Sequence, residues 1–137
     1  MTGTDLVRRF FDAANARDWA TIEAIHTADA VYHDPHTPPA EPGGAGMASS
    51  LAFYATALHG RWEVHDIVDA GGYVATRWTG HGLHDNDMIG IPASGKELHV
   101  DAFSLMRGAG GLIAEHWCAW DTAGMLRQVG VLPDPAA

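Results

Sequence analysis

The 137-residue chain predicts an α+β domain: a curved antiparallel sheet with three helices from the first half lying across its concave side, enclosing an apolar pocket. Two observations carry this. Apolar residues recur at helical spacing through most of the first sixty positions and then switch to a period of two. Helices first and a meander of strands afterwards is the α+β order. One domain, 1–137, accounts for the length, and 47% hydrophobic residues can fill its core.

The elements follow in order. TGTDLVRRFFDAANARD predicts a helix capped at Thr4, with Leu6, Val7, Phe10, Phe11 and Ala14 on one stripe. Asp18 can cap a second short helix, WATIEAIH. VYHDP predicts a short strand stopped by Pro35, and HTPPAEPGGAG a loop. From Gly46, MASSLAFYATALHG predicts a third helix with Met47, Leu51, Tyr54 and Leu58 on one stripe and Gly60 as terminator. RWEVHDIVDA, a Gly71-Gly72 turn and YVATRWTGHGLH form a hairpin. DNDMIGIPASG is a loop. KELHVDAFSLMRG then pairs with LIAEHWCAW through the turn at Gly108 to Gly111, before a short helix or turn, TAGMLRQVG, and a tail.

Charge narrows the function. Eight basic and 17 acidic residues give a net charge of −9, which argues against nucleic acid and anionic membranes as partners. No apolar run is long enough to span a bilayer. One cysteine rules out an intrachain disulfide, and no apolar leader opens the chain, so a cytoplasmic location is expected.

Three constellations can carry chemistry. In LIAEHWCAW, alternation puts His116, Cys118 and Trp120 on one face and Glu115, Trp117 and Ala119 on the other. The partner strand puts Val100, Ala102, Ser104 and Met106 together. If these faces look into the pocket, His116 is the candidate general acid or base, with small residues opposite it. The second is YHDPH, where His33 or Asp34 is the candidate partner and Tyr32 and His36 flank them. The third is RWTGHGLH, with Arg77, Thr79 and His81 on one face and Trp78 on the other. Arg77 or His81 could stabilise an oxyanion if turned inward, and parity alone leaves the face open. Tyr54, Trp62, Trp120 and Met106 would hold a hydrophobic substrate.

No metal is expected. The HxxH pairs His33/His36 and His81/His84 would point to opposite faces of a strand, and no HExxH or CxxC is present. Dinucleotide, P-loop and nucleophile-elbow signatures are missing too.

VRRFFDAANARDW, VYHDP, YVATRWTGHGLH, IGIPASGKELHVDAFSLMRG and IAEHWCAWDTAGMLRQVG together resemble the SnoaL-like polyketide cyclase (ester cyclase) family of the NTF2-like superfamily. The resemblance runs over nearly the whole chain. It implies an NTF2-like cone, no cofactor and no metal, and a homodimer built through the outer sheet face, for which Phe103 and Trp117 are suited. It implies acid/base ring closure of an aldol type on a hydrophobic carbonyl-bearing metabolite. The family's key aspartate, two positions after the histidine matching His116, is Cys118 here. A second polar position, histidine in the founding cyclases, is Ser104. Asp121 matches a common family aspartate and is expected to cap the final turn. Two alternatives stand beside the cyclase: an epoxide hydrolase or epoxide-opening cyclase, for which Asp101 sits on the opposite face from Ser104, and a non-catalytic small-ligand-binding domain.

Overall fold

The computed structural model describes residues 2–35 and 41–135. Helix α1 (Gly3–Ala16) starts earlier than expected because Thr2, not Thr4, is its cap. The Thr2 hydroxyl accepts from the Asp5 amide at 3.1 Å, and the Asp5 carboxylate accepts from the Thr2 amide at 3.0 Å. This capping box satisfies donors at both ends of the first turn. Helix α2 (Trp19–Ala24) is capped by Asp18, as its sequence implies. Strand β1 (His26–His33) is longer than VYHDP suggested and takes in His26, which the helical pattern had claimed for α2. Helix α3 (Gly43–Ala57) begins three residues before Gly46.

Strands β2 (Arg61–Asp69), β3 (Tyr73–His84), β4 (Lys96–Ala109) and β5 (Leu112–Trp120) follow, and α4 (Thr122–Gln128) closes the described chain. Asp121 caps α4, accepting from the Gly124 amide at 2.9 Å. The sheet order is β1-β5-β4-β3-β2, antiparallel except where β1 runs parallel to β5. Register shifts lie between Val64 and Asp66 and between Arg107 and Gly108. Such bulges bend a strand and raise its twist, which suits a sheet that wraps around helices.

The main core joins α1, α2 and α3 to the sheet through Leu6, Val7, Phe10, Ile22, Ile25, Leu51 and Met106. A second cluster of Leu58, Met88, Leu98 and Met125 seals the other end. Burial settles which faces look inward. On β4, Leu98, Ala102, Ser104 and Met106 are buried while Phe103 is 64% exposed. On β3, Val74 and Thr76 are buried and Trp78 borders the interior, so Arg77 faces outward.

Helix α3 lies close to α2. A Cβ added at Gly44 would stand 2.5 Å from Glu23 backbone atoms. Gly44→Ala is therefore expected to force the two helices apart and cost about 1–3 kcal/mol, as overpacking does. Urea unfolding of the variant checks this.

Candidate functional site

A cavity opens between the concave sheet face and α1 and α3, about 830 Å³ with the open space at its mouth included. Its helical wall is apolar, formed by Phe10, Phe11, Met47, Leu51, Tyr54 and Leu58. Apart from Ser50 and the Tyr54 hydroxyl on α3, the inner polar groups lie on the sheet side. They come from β5 (His116, Cys118, Trp120), β4 (Ser104) and the end of β1 (Tyr32 and Asp34).

Register explains the convergence. Tyr32 stands opposite His116 across the parallel β1–β5 pair, and Ser104 opposite Cys118 across β4–β5. Since side chains alternate, Asp34 follows Tyr32 toward the same side. The Tyr32 hydroxyl donates to Asp34 Oδ2 at 3.0 Å, and the Trp120 indole N–H donates to the same oxygen at 3.4 Å. Trp78 Nε1 donates to Ser104 Oγ at 3.0 Å, and the Cys118 thiol lies beside both Ser104 and Tyr32. The cavity wall thus carries a run of polar contacts from Trp78 through Ser104, Cys118 and Tyr32 to Asp34.

Burial sets the protonation states. His116 is 4% exposed, and neither ring nitrogen has a hydrogen-bond partner among the described residues. Desolvation pushes its pKa down to about 3, with smaller contributions from His26 and His33. The ring is therefore neutral at pH 7, with one N–H to donate and one lone pair to accept. Phe10 and Tyr32 hold it edge-on, with ring centroids 5.5 and 4.9 Å away. Burial pushes the Cys118 thiol up to about 11, so it is not a thiolate at neutral pH. The Tyr32 phenol is also raised, first by burial and then by Cys118 and Asp34, and stays a donor.

Of the sequence candidates, Asp34, Tyr54, Trp62, Ser104, His116, Cys118 and Trp120 border the cavity. Four expectations need correction. His33 turns to the outer sheet face, because it alternates with Tyr32 and Asp34. Its Nε2 lies 2.7 Å from Glu115 Oε2 and its ring stacks on Trp117. Arg77 is exposed and donates to Asp66 at 2.6 Å, too far round the strand to meet an oxyanion inside. His81 borders the cavity, but its ring nitrogens are engaged by His99 Nδ1 at 2.9 Å and by the exposed Glu63 at 2.8 Å. Met106 is buried beyond the cavity's end, in the core against α1, and lines a separate hollow there. His36 lies outside the described residues, and Asp101 faces outward, accepting from Thr79.

Tyr32 was named only as a flanking member of its cluster, and Trp78 and the inward glycines of β3 were not among the sequence candidates. Their signal was the alternation itself: Val74, Thr76, Trp78 and Gly80 are uncharged, whereas Arg77 between them cannot be buried cheaply. Among the described residues no cluster of three or more His, Cys, Asp or Glu is placed to hold a metal. Among the described residues no helix is long and apolar enough to cross a membrane.

Comparison with known proteins agrees with this architecture. The chain is 28% identical over 134 residues to aklanonic acid methyl ester cyclase DnrD of Streptomyces peucetius, covering 94% of this chain and 91% of that one. Wild-type IdmH from Streptomyces antibioticus superposes with a TM-score of 0.82 at 29% identity, covering 96% of this chain and all of IdmH. TsrD from Streptomyces laurentii gives 0.81 at 28% identity, covering 94% and 95%. The family profile described as SnoaL-like polyketide cyclase matches residues 4–129, and the chain, a five-stranded cone with its polar groups gathered on the inner sheet wall, is an enzyme of that family.

Proposed function

We propose that the protein closes a ring in a polyketide-like, carbonyl-bearing metabolite by an intramolecular aldol step without a cofactor, in antibiotic-type biosynthesis in the cytoplasm. The observation that carries this reading is the Asp34 carboxylate at the wall of a greasy cavity, bonded by Tyr32 and Trp120. Asp34 takes the proton from the carbon between two carbonyls. The resulting enolate carbon attacks a second carbonyl of the same molecule, and the proton returns to the new alkoxide. The neutral His116 donates its N–H to the carbonyl oxygen as charge builds there. A neutral imidazole suits that role better than the base role, since a ring with a pKa of about 3 is a poor proton acceptor at pH 7.

In this reading the acid is supplied from the end of β1, while β5 offers Cys118 where the family carries aspartate. Cys118 and Ser104 then shape the pocket and support the Tyr32 hydroxyl. Aklanonic acid methyl ester, the compound in the name of the relative DnrD, is the first substrate to assay. Tyr32→Phe keeps the carboxylate but removes one donor to it. Loss of a hydrogen bond to a charged group is worth about 1.5–3 kcal/mol, so turnover should fall roughly 10- to 100-fold. An unchanged rate in Tyr32→Phe argues that Asp34 is not the base.

The proposal includes a homodimer through the outer sheet face. Val68, Ala75, Leu105 and Trp117 stand in one row across four strands, beside Phe103. Such contiguous apolar surface is uncommon on monomers. Phe103→Glu is expected to give a monomer in sedimentation; a wild-type chain that sediments as a monomer at high concentration overturns the point.

A further inference from the structure

The cavity extends well past the polar groups. Along β4 its inward wall runs from Ser104 through Val100 to Leu98, six residue steps or roughly 20 Å of extended chain. The facing positions of β3 are Gly80, paired with Val100, and Gly82, paired with Leu98. Both are glycines that border the cavity, so this stretch of the sheet has a floor of bare backbone. A Cβ at Gly80 would meet the Trp78 ring at 3.3 Å and the Val100 carbonyl at 3.8 Å. At Gly82 it would stand 2.9 Å from the Leu58 carbonyl, where the end of α3 is tied down by the Leu83 amide at 2.7 Å. A Cβ at Gly80 would thus press on the edge of an indole that can shift, whereas one at Gly82 would be blocked by a fixed backbone carbonyl. Its walls, Leu58, Trp62, Leu98, Val100 and Met125, are apolar, and the His81 imidazole beside it is turned to Glu63. Arg61 is exposed at the rim.

We infer that this trough is a second compartment of the site, holding an unbranched alkyl or alkenyl arm of the substrate, with Gly80 as the residue that admits it. The inference rests on the proposed ring-closing site and adds to it a class of substrate: a carbonyl-bearing ring precursor with a flexible aliphatic tail. The shape carries the choice of a tail. A passage that narrows against the backbone at Gly82 accepts a chain of single-carbon width more readily than a further fused ring. The lining offers such a group only dispersion and release from water, which grow with each methylene.

The test is binding, read from quenching of the tryptophans that line the cavity, with the full chain and 1,8-dihydroxyanthraquinone against its 3-methyl, 3-propyl and 3-pentyl homologues. Affinity should rise about threefold to fourfold per methylene. Gly80→Val should flatten that rise while the parent compound binds within about twofold of its wild-type affinity. Val100→Phe, which narrows the same trough from β4, should do likewise and covers the case in which Gly80→Val fails to fold. Affinity independent of arm length in the wild type, or a dependence that survives both substitutions, overturns the trough. Binding that appears only when the arm is present keeps the trough and sinks the polyketide-like ring reading. No binding by any member overturns both.

Discussion

Asp34→Asn is expected to lower turnover by about 10²–10⁴-fold while leaving the melting temperature within a few degrees. The magnitude is that of one well-placed general acid or base. The amide keeps the shape of the carboxylate and can still accept from Tyr32 and Trp120, so packing at the mouth of the cavity is preserved. What it cannot do is take a proton from carbon. The discriminating comparison is with His116→Gln, which removes a donor to the developing oxyanion and should cost less, roughly 10²-fold. If Asp34→Asn retains full activity while His116→Gln is dead, the base has been misassigned. If neither variant differs from a wild type that binds but never turns over, the domain is a ligand carrier.

A second large effect is the loss of stability in acid. His116 is held neutral in the fold with a pKa near 3 against its usual 6.5. The unfolded chain takes up a proton below about pH 6.5 that the folded chain refuses until about pH 3. Unfolding is therefore favoured progressively as pH drops through that window, and above it the group contributes nothing to the pH dependence. The full shift corresponds to about 5 kcal/mol, of which about 2 kcal/mol is reached by pH 5. His26 is lowered by burial too and adds in the same direction. Urea unfolding at pH 7 and pH 5 should show the wild type losing about 2 kcal/mol more than His116→Leu. Equal losses in the two proteins would falsify the assignment of a buried, uncharged ring.

Much of this fold was legible because its signals are local. The change from helical spacing to alternation after Gly60, the Gly71-Gly72 turn and the last glycine turn each place an element boundary without knowledge of neighbours, although that last turn is only Gly110-Gly111, since β4 runs on through Gly108 to Ala109. The errors share a cause as well. His26 continues a helical pattern, yet β1 takes it because pairing with β5 offers a backbone partner, His26 standing opposite Ile113. The site was legible where one strand carried it, as with His116, Cys118 and Trp120. It was not where a choice of face decided the outcome. His33 and Asp34 are equally plausible bases in the sequence, and only the parallel register with β5 turns Asp34 inward and His33 toward Glu115. Arg77 failed for the same reason, since the inward side of β3 is set by Thr76 and Trp78.

The parallel pairing of β1 with β5 also has a consequence for how the molecule comes into being. Asp34 and Trp120, which share a hydrogen bond, are 86 residues apart along the chain. During synthesis the early helices and the β2–β3 hairpin can form while the site does not yet exist. The final strand must slide between two others already waiting, so closing a long loop comes late and slowly, as it does for folds rich in distant contacts. Until then the first strand has an unzipped edge, and a nascent chain stalled after Gly111 would expose it to other chains.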